Sequence, residues 1–325
     1  MEPLYRVSYP VAEVSRAYPP TLRNRNKQIV YDIACPLGTV SDGTITAARW
    51  AALSLPARVP AIVPSCEVRA DFFAYEPAQP DTVPWYLNFA NVDMFAYYGG
   101  GLLAQDELQV AEHPCLASLR HALLHDNLST LTVESGRPTP ILIMGAQRRV
   151  SLATDPNAAE FRPSGLYGNA FGRAPEDAIR MAARRLDPPT NTNIIAMEAP
   201  ASGAGEYTRD QIHFILATAY TGLQAARIES TVDGSPNIQV VIHTGFWGCG
   251  AYGGNRILMT ALQILAARLS GIGRLVFHTG DRKGLAQFQD AQKLLSDLYS
   301  QTTTTDDLIL RLYDRGYRWG TGDGN

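Results

Sequence analysis

The stretch NFANVDMFAYYGGGLLAQDE runs from Asn88 to Glu107 and contains the change of character that decides the fold. It opens on the end of an aromatic, apolar run, Trp85, Tyr86, Leu87 and Phe89, which reads as a buried strand. Gly99, Gly100 and Gly101 then interrupt the pattern. Three successive glycines surrender backbone order, a loss that is tolerable where φ > 0 is required or where a ligand approaches the main chain more closely than a Cβ would allow. Gln105-Asp106-Glu107 follows, with two adjacent carboxylates where a helix should start, and the helix dipole favours negative charge there. An acidic helix cap after a flexible turn accounts for this local pattern as well as a pair of working acids does.

Working outward, the chain alternates strand-like and helix-like segments from Ile62 onward, the order of an α/β sheet covered by helices. Core strands are expected at Val68 to Ala74, Trp85 to Ala90, Ile141 to Ala146, Asn193 to Met197, Ile238 to His243 and Leu275 to Thr279, mostly as continuous apolar runs. A period of 3.6 marks helices at Asp210 to Ile228 and Asn255 to Ser270. Residues 1 to 60, with Pro10, Pro19, Pro20, Pro56 and Pro60 and a possible helix around Thr44 to Leu53, read as an amino-terminal accessory segment. Residues 61 to 300 form the main domain, and residues 301 to 325, with a run of threonines and three late glycines, form a tail with a loose end.

Composition narrows the function classes. The chain has 325 residues, 46% of them hydrophobic, enough for a sizeable core. A net charge of -3 and a pI near 6.1 provide no basic field for sequence-independent nucleic-acid binding. No apolar run approaches membrane length and no leader is evident, so a soluble, cytoplasmic protein without membrane contact is expected. The four cysteines are scattered, which fits a reducing compartment. His121 and His125 sit four apart without a third ligand, and no metal site is expected.

A second chemical stretch, TGFWGCGAYGGN, spans Thr244 to Asn255 between a strand and a helix. Strand, glycine loop and helix in that order make a phosphate cradle from unpaired amides and the helix dipole. Gly248, Gly250 and Gly253 formally spell GxGxxG, but Phe246 and Trp247 precede the first glycine and no acidic residue is suitably placed about 20 residues on, so a dinucleotide-dependent oxidoreductase is the weaker reading. A structural glycine turn remains open.

Together these stretches resemble the poly(ADP-ribose) glycohydrolase branch of the macrodomains. A triple glycine ahead of paired acids is similar to that family's catalytic signature, with Pro114 and Leu116 at its spacing, and the Thr244 to Asn255 loop resembles its glycine-rich diphosphate loop. PILIMGA, LYGNAF and EYTRDQIHFILATAYTG continue the likeness between them, over roughly Ile62 to Asp290. The chain departs from the family in its short spacer, Leu102, Leu103 and Ala104, and in Asp106 at the first acid.

The resemblance implies a macrodomain-like mixed sheet flanked by helices, and an activity, hydrolysis of an ADP-ribosyl glycosidic bond without a cofactor. It implies Glu107 as the general acid and base, Asp106 as the acid beside the ribose hydroxyls, and Gln105 as a positioning group. Substrate contacts are implied at Asn91, at Gly99, Gly100 and Gly101, and at Gly245, Phe246, Trp247, Gly248, Cys249 and Gly250 for the diphosphate. Tyr252 is implied beside the terminal ribose, Tyr167 on the adenosine side and Glu76 at the adenine amino group. The expected partners are an ADP-ribosylated protein substrate and ADP-ribose as product. The short spacer favours mono-ADP-ribose, arginine-linked, over polymer. A poly(ADP-ribose) glycohydrolase and a non-catalytic ADP-ribose reader stand as alternatives.

Overall fold

The computed structural model describes residues 2–200, 203–231 and 238–322. The chain begins with strand β1 (Tyr5–Pro10), helices α1 (Val11–Ala17) and α2 (Arg25–Ala34), then β2 (Thr44–Arg49), β3 (Ser65–Arg69) and β4 (Thr82–Ala90). Helices α3 (Gln105–Glu112) and α4 (Cys115–His125) lead to the small hairpin β5 (Val133–Glu134) and β6 (Arg137–Pro138) and to the long β7 (Ile141–Leu152). After α5 (Glu176–Ala182) and β8 (Ala183–Glu198) come α6 (Arg209–Glu229), β9 (Gln239–Gly245), α7 (Arg256–Leu269), β10 (Arg274–His278), α8 (Arg282–Tyr299) and α9 (Thr305–Tyr313).

Eight strands form one mixed sheet in the order β1-β2-β7-β8-β4-β9-β10-β3. The β8, β4, β9, β10 and β3 strands are parallel, whereas β1, β2 and β7 join antiparallel at the β8 side. Alternation along each strand divides the core. Trp85 and Leu87 of β4, Ile195 and Met197 of β8 and Ile242 of β9 face the layer of α6 to α9. Ala90, Ile194, Ala196, Ile141 and Ile143 face the other layer, built on α1, α3 and α4. The parallel strands end together at Glu198, Ala90, Gly245, His278 and Arg69, and the crevice beyond the carboxyl ends of such strands is where open α/β sheets bind ligands.

Several sequence expectations shift. The segment around Thr44 to Leu53 is not a helix: Thr44–Arg49 is the strand β2, held by main-chain pairing to β1 and β7 that overrides the helix preference of Ala47, Ala48 and Arg49. The expected strand at Val68 to Ala74 is instead Ser65–Arg69; beyond it the chain leaves the sheet and turns at Tyr75, whose φ is 52°. Residues 1 to 60, read as an accessory segment, supply the sheet edge and α2. In the tail, Thr304 precedes α9, and Trp319 is buried against Tyr207 at a ring distance of 4.1 Å. Of the expected loose end, residues 323–325 lie outside the described residues. No helix among the described residues is long and apolar enough to cross a membrane.

Candidate active site

Gln105 anchors the first turn of α3 to the end of β4. Its Nε2 donates to Leu87 O at 3.0 Å and its Oε1 accepts from Phe89 N at 2.7 Å, so the amide occupies two main-chain groups where β4 has parted from β9 while still paired with β8. This clamp places Asp106 and Glu107 over the same strand end. Asp106 is buried and accepts from Asn88 Nδ2 at 3.0 Å. Glu107 is buried too, and its Oε2 accepts from Ala104 N at 3.1 Å; this is one half of a capping box, since alanine at the N-cap has no oxygen to return the bond.

Burial dominates the electrostatics of the pair. It raises the Asp106 carboxyl to about 7, with the neighbouring Glu107 charge acting in the same direction. Burial likewise raises Glu107, against the attraction of Lys27. Lys27 of α2 is buried, donates from Nζ to Glu107 O at 3.2 Å and lies over the Phe171 ring at 5.4 Å. Burial lowers its ammonium to about 8, opposed by the charges of Glu107 and Asp106.

The glycine loop closes on this end of the sheet. Trp247 is fully buried and its indole donates to Met197 O at 3.2 Å, fixing the loop to β8. Phe246 packs between Phe277 and the Arg256 guanidinium, which lies 4.4 Å from its ring centre. The Phe246, Trp247 and Cys249 side chains are therefore anchors, and burial pushes the Cys249 thiol up to about 12. Their main chain is what the loop offers a ligand. Trp247 N donates to Gly245 O and Cys249 N to Phe246 O, whereas the Gly248 and Gly250 amides donate to no described residue. Gly248 has a φ of +74°, and a Cβ there would meet Ala199 Cβ at 2.6 Å. Tyr252, at the far end of the loop, has its hydroxyl beside the Asn91 side chain, and that hydroxyl is raised by burial and by the charges of Glu198 and Asp106. The loop and the acid pair thus meet through Tyr252 and Asn91.

A family model described as "Poly (ADP-ribose) glycohydrolase (PARG), Macro domain fold" matches residues 136–287, which include the glycine loop and leave the acid pair outside. The chain contains a PARG-like macrodomain. Its fold is shared with poly(ADP-ribose) glycohydrolase from Thermomonospora curvata, at a TM-score of 0.50 and 16% identity over 82% of this chain and 98% of that one. The enzyme from Deinococcus radiodurans, in complex with ADP-ribose, aligns at a TM-score of 0.46 and 14% identity over 89% and 95% of the two chains. No curated protein matches in sequence.

The macrodomain positions the other expected residues less centrally. Gly99, Gly100 and Gly101 lie in the left-handed region at none of their positions. Instead the chain's own backbone approaches them: a Cβ on Gly99 would strike Thr21 O, and one on Gly101 would lie 3.5 Å from Gly172 Cα. Gly99 O accepts from Arg23 N and Asn24 N, so the triple glycine seats the segment that leads into α2. The short spacer is pinned, with Leu103 buried and exchanging two main-chain bonds with Gly168. That exchange draws the half-exposed Tyr167 alongside the spacer. Glu76 is exposed, with its carboxylate on Arg69 at 3.0 Å.

Three residues of this region escaped the sequence reading. Asn88 lies inside the expected strand Trp85 to Ala90, where its alternation with Leu87 and Phe89 puts it on the α3 face. Lys27 lies far away in sequence, on a segment outside the resemblance. Glu198 pairs in register with Ala90 at the tip of β8, next to Asn91, and burial raises its carboxyl to about 7. An acid closing the apolar run NIIAM at a parallel strand's carboxyl end was the signal available for it.

Proposed function

We propose that the protein hydrolyses the glycosidic bond between ADP-ribose and a modified protein side chain. The observation that carries this is the convergence, at one end of the sheet, of two buried carboxyls with a glycine loop tied to them through Tyr252 and Asn91. The loop is built for an anion and the acids for a sugar, the two demands that an ADP-ribosyl substrate makes. The PARG description of the matched family model supports the same reading.

In this reading the Gly248 and Gly250 amides hold the diphosphate, Tyr252 and Asn91 border the terminal ribose, and Asp106 with Asn88 receives its hydroxyls. Tyr167 and Glu76 border the adenosine. Glu107, whose carboxyl is raised by burial, passes a proton to the departing group as the anomeric C–O or C–N bond breaks. The resulting carboxylate then takes a proton from water, whose oxygen bonds to the anomeric carbon. The products are ADP-ribose and the unmodified side chain. Glu107 ends the cycle protonated.

We assign mono-ADP-ribose on arginine as the substrate. The spacer between the triple glycine and α3 is short and pinned to Gly168, and loop length reshapes the wall of a site. A guanidinium leaving group is matched by nearby carboxylates, and Glu198 adds a third to Asp106 and Glu107. The test is a panel of arginine-linked, glutamate-linked and polymeric substrates assayed for free ADP-ribose. Release from arginine-linked protein supports the assignment. Rapid polymer breakdown with arginine linkages untouched overturns the aglycone, binding without release from any substrate makes the protein a reader, and a nicotinamide absorbance change would restore the oxidoreductase.

A further inference from the structure

We propose that Lys27 is a positioning residue of the acid pair, an ammonium supplied by the amino-terminal segment that keeps Asp106 and Glu107 from both being protonated at neutral pH. This rests on the glycohydrolase reading above and adds to it a component outside the matched family model.

The geometry makes Lys27 costly unless its charge is used. Its side chain is buried, it is within salt-bridge distance of no carboxylate among the described residues, and its one hydrogen bond goes to a neutral acceptor, Glu107 O at 3.2 Å. A buried ammonium held this way is expensive relative to a methionine of the same length. The α2 helix that carries it is nevertheless firmly held: Asn24 caps it by accepting from Asn26 N and Lys27 N, and Asn26 Nδ2 donates to Phe171 O and Ala174 O. The triple glycine exists at that place to admit the strand of chain leading into α2.

Two carboxyls side by side in a buried first turn would otherwise both retain protons, and neither would be available as a base. The charged groups acting on them are Lys27 from α2 and, on Asp106, Arg120 from α4; Arg120 is already held by both Asp93 oxygens, at 2.5 and 2.6 Å. Glu198 of β8 acts on Tyr252, on the far side of the pair. Lys27 is thus the one unpaired cation among these groups. With it, the pair carries one proton and one negative charge, which lets one carboxyl donate while the other accepts from ribose.

The test compares full-length wild type, Lys27→Met and Lys27→Arg in the pH profile of ADP-ribose release and in carbon NMR titration of the two carboxyls. Removing the ammonium raises both carboxyls, so the acidic limb of the Lys27→Met profile and its carboxyl titrations should move up by one pH unit or more, at least a tenfold loss at pH 6 that is recovered at higher pH. Lys27→Arg should restore the wild-type profile. A rate loss equal at every pH with unmoved carboxyl titrations overturns the proposal and leaves Lys27 a packing residue. Because coupling is reciprocal, Asp106→Asn should also lower the Lys27 ammonium titration in nitrogen NMR; an unmoved lysine overturns the proposal even where Lys27→Met does not fold. Should wild type release no ADP-ribose at all, the glycohydrolase reading fails while the two titrations still decide the role of Lys27.

Discussion

Asn88 Nδ2 donates to Asp106 Oδ1 at 3.0 Å, while Asn88 Oδ1 is buried with no donor among the described residues. An ionised Asp106 can only accept. A protonated one adds a donor beside an amide whose oxygen has none, and the burial that raises Asp106 to about 7 acts in the same sense.

The first prediction concerns stability. An unfolded aspartate titrates near 4, so across roughly pH 4 to 7 the folded protein keeps a proton that the unfolded chain has lost, and stability falls as pH rises through that window. Asp106→Asn removes this slope and places an amide where the acid stood. Its melting temperature should exceed that of wild type at pH 8 and converge with it near pH 4. A mutant less stable than wild type at pH 8 would show that ionised Asp106 carries no such cost.

Glu107→Gln keeps the shape and the bond from Ala104 N but removes the proton donor. Turnover should fall by about 10² to 10⁴, the usual worth of general acid–base catalysis, with ADP-ribose affinity within a few-fold by calorimetry. Activity within threefold of wild type would remove Glu107 from the mechanism.

The two cradle glycines should respond differently to valine. Gly248 sits at a φ of +74° and its Cβ would meet Ala199, so Gly248→Val strains the loop and lowers stability as well as affinity. Gly250 is outside the left-handed region, and Gly250→Val should weaken ADP-ribose binding at least tenfold with a near wild-type melt. Unchanged affinity in folded Gly250→Val would refute the diphosphate cradle.

The carboxyl-terminal segment braces that loop from outside. Trp319 stacks on Tyr207, whose hydroxyl accepts from Asn255 N at 2.8 Å, and Gly320 N donates to Gly253 O at 2.7 Å. Trp319→Ala should cost about 3 kcal/mol, the lower range for a buried tryptophan. Because the brace ends on the loop, affinity for ADP-ribose should fall with it. Weaker folding with unaltered affinity would mean the loop holds its shape unaided.

Local pattern was enough for some of this protein. The amphipathic α6 and α7 and the apolar runs of β4, β8 and β9 were legible because a helix or a buried strand writes its period into neighbouring residues. The carboxylates at Asp106 and Glu107 and the glycines of Thr244 to Asn255 were legible for the same reason, each being a contiguous motif whose strand and helix flanks are read alongside it. Contacts between distant segments decided the remainder. β2 is a strand because β1 and β7 complete its hydrogen bonds, against the preference of its alanines. Gly99 to Gly101 are spaced for the chain's own backbone at Thr21 and Gly172, and Phe246 and Trp247 turn inward because a core lies beneath them. Lys27, 80 positions from Glu107, comes against it only when α2 packs on α3. A charge's environment, and with it the proton on a buried acid, belongs to the tertiary structure, because burial and distance set it and neither is a property of neighbouring residues in the chain.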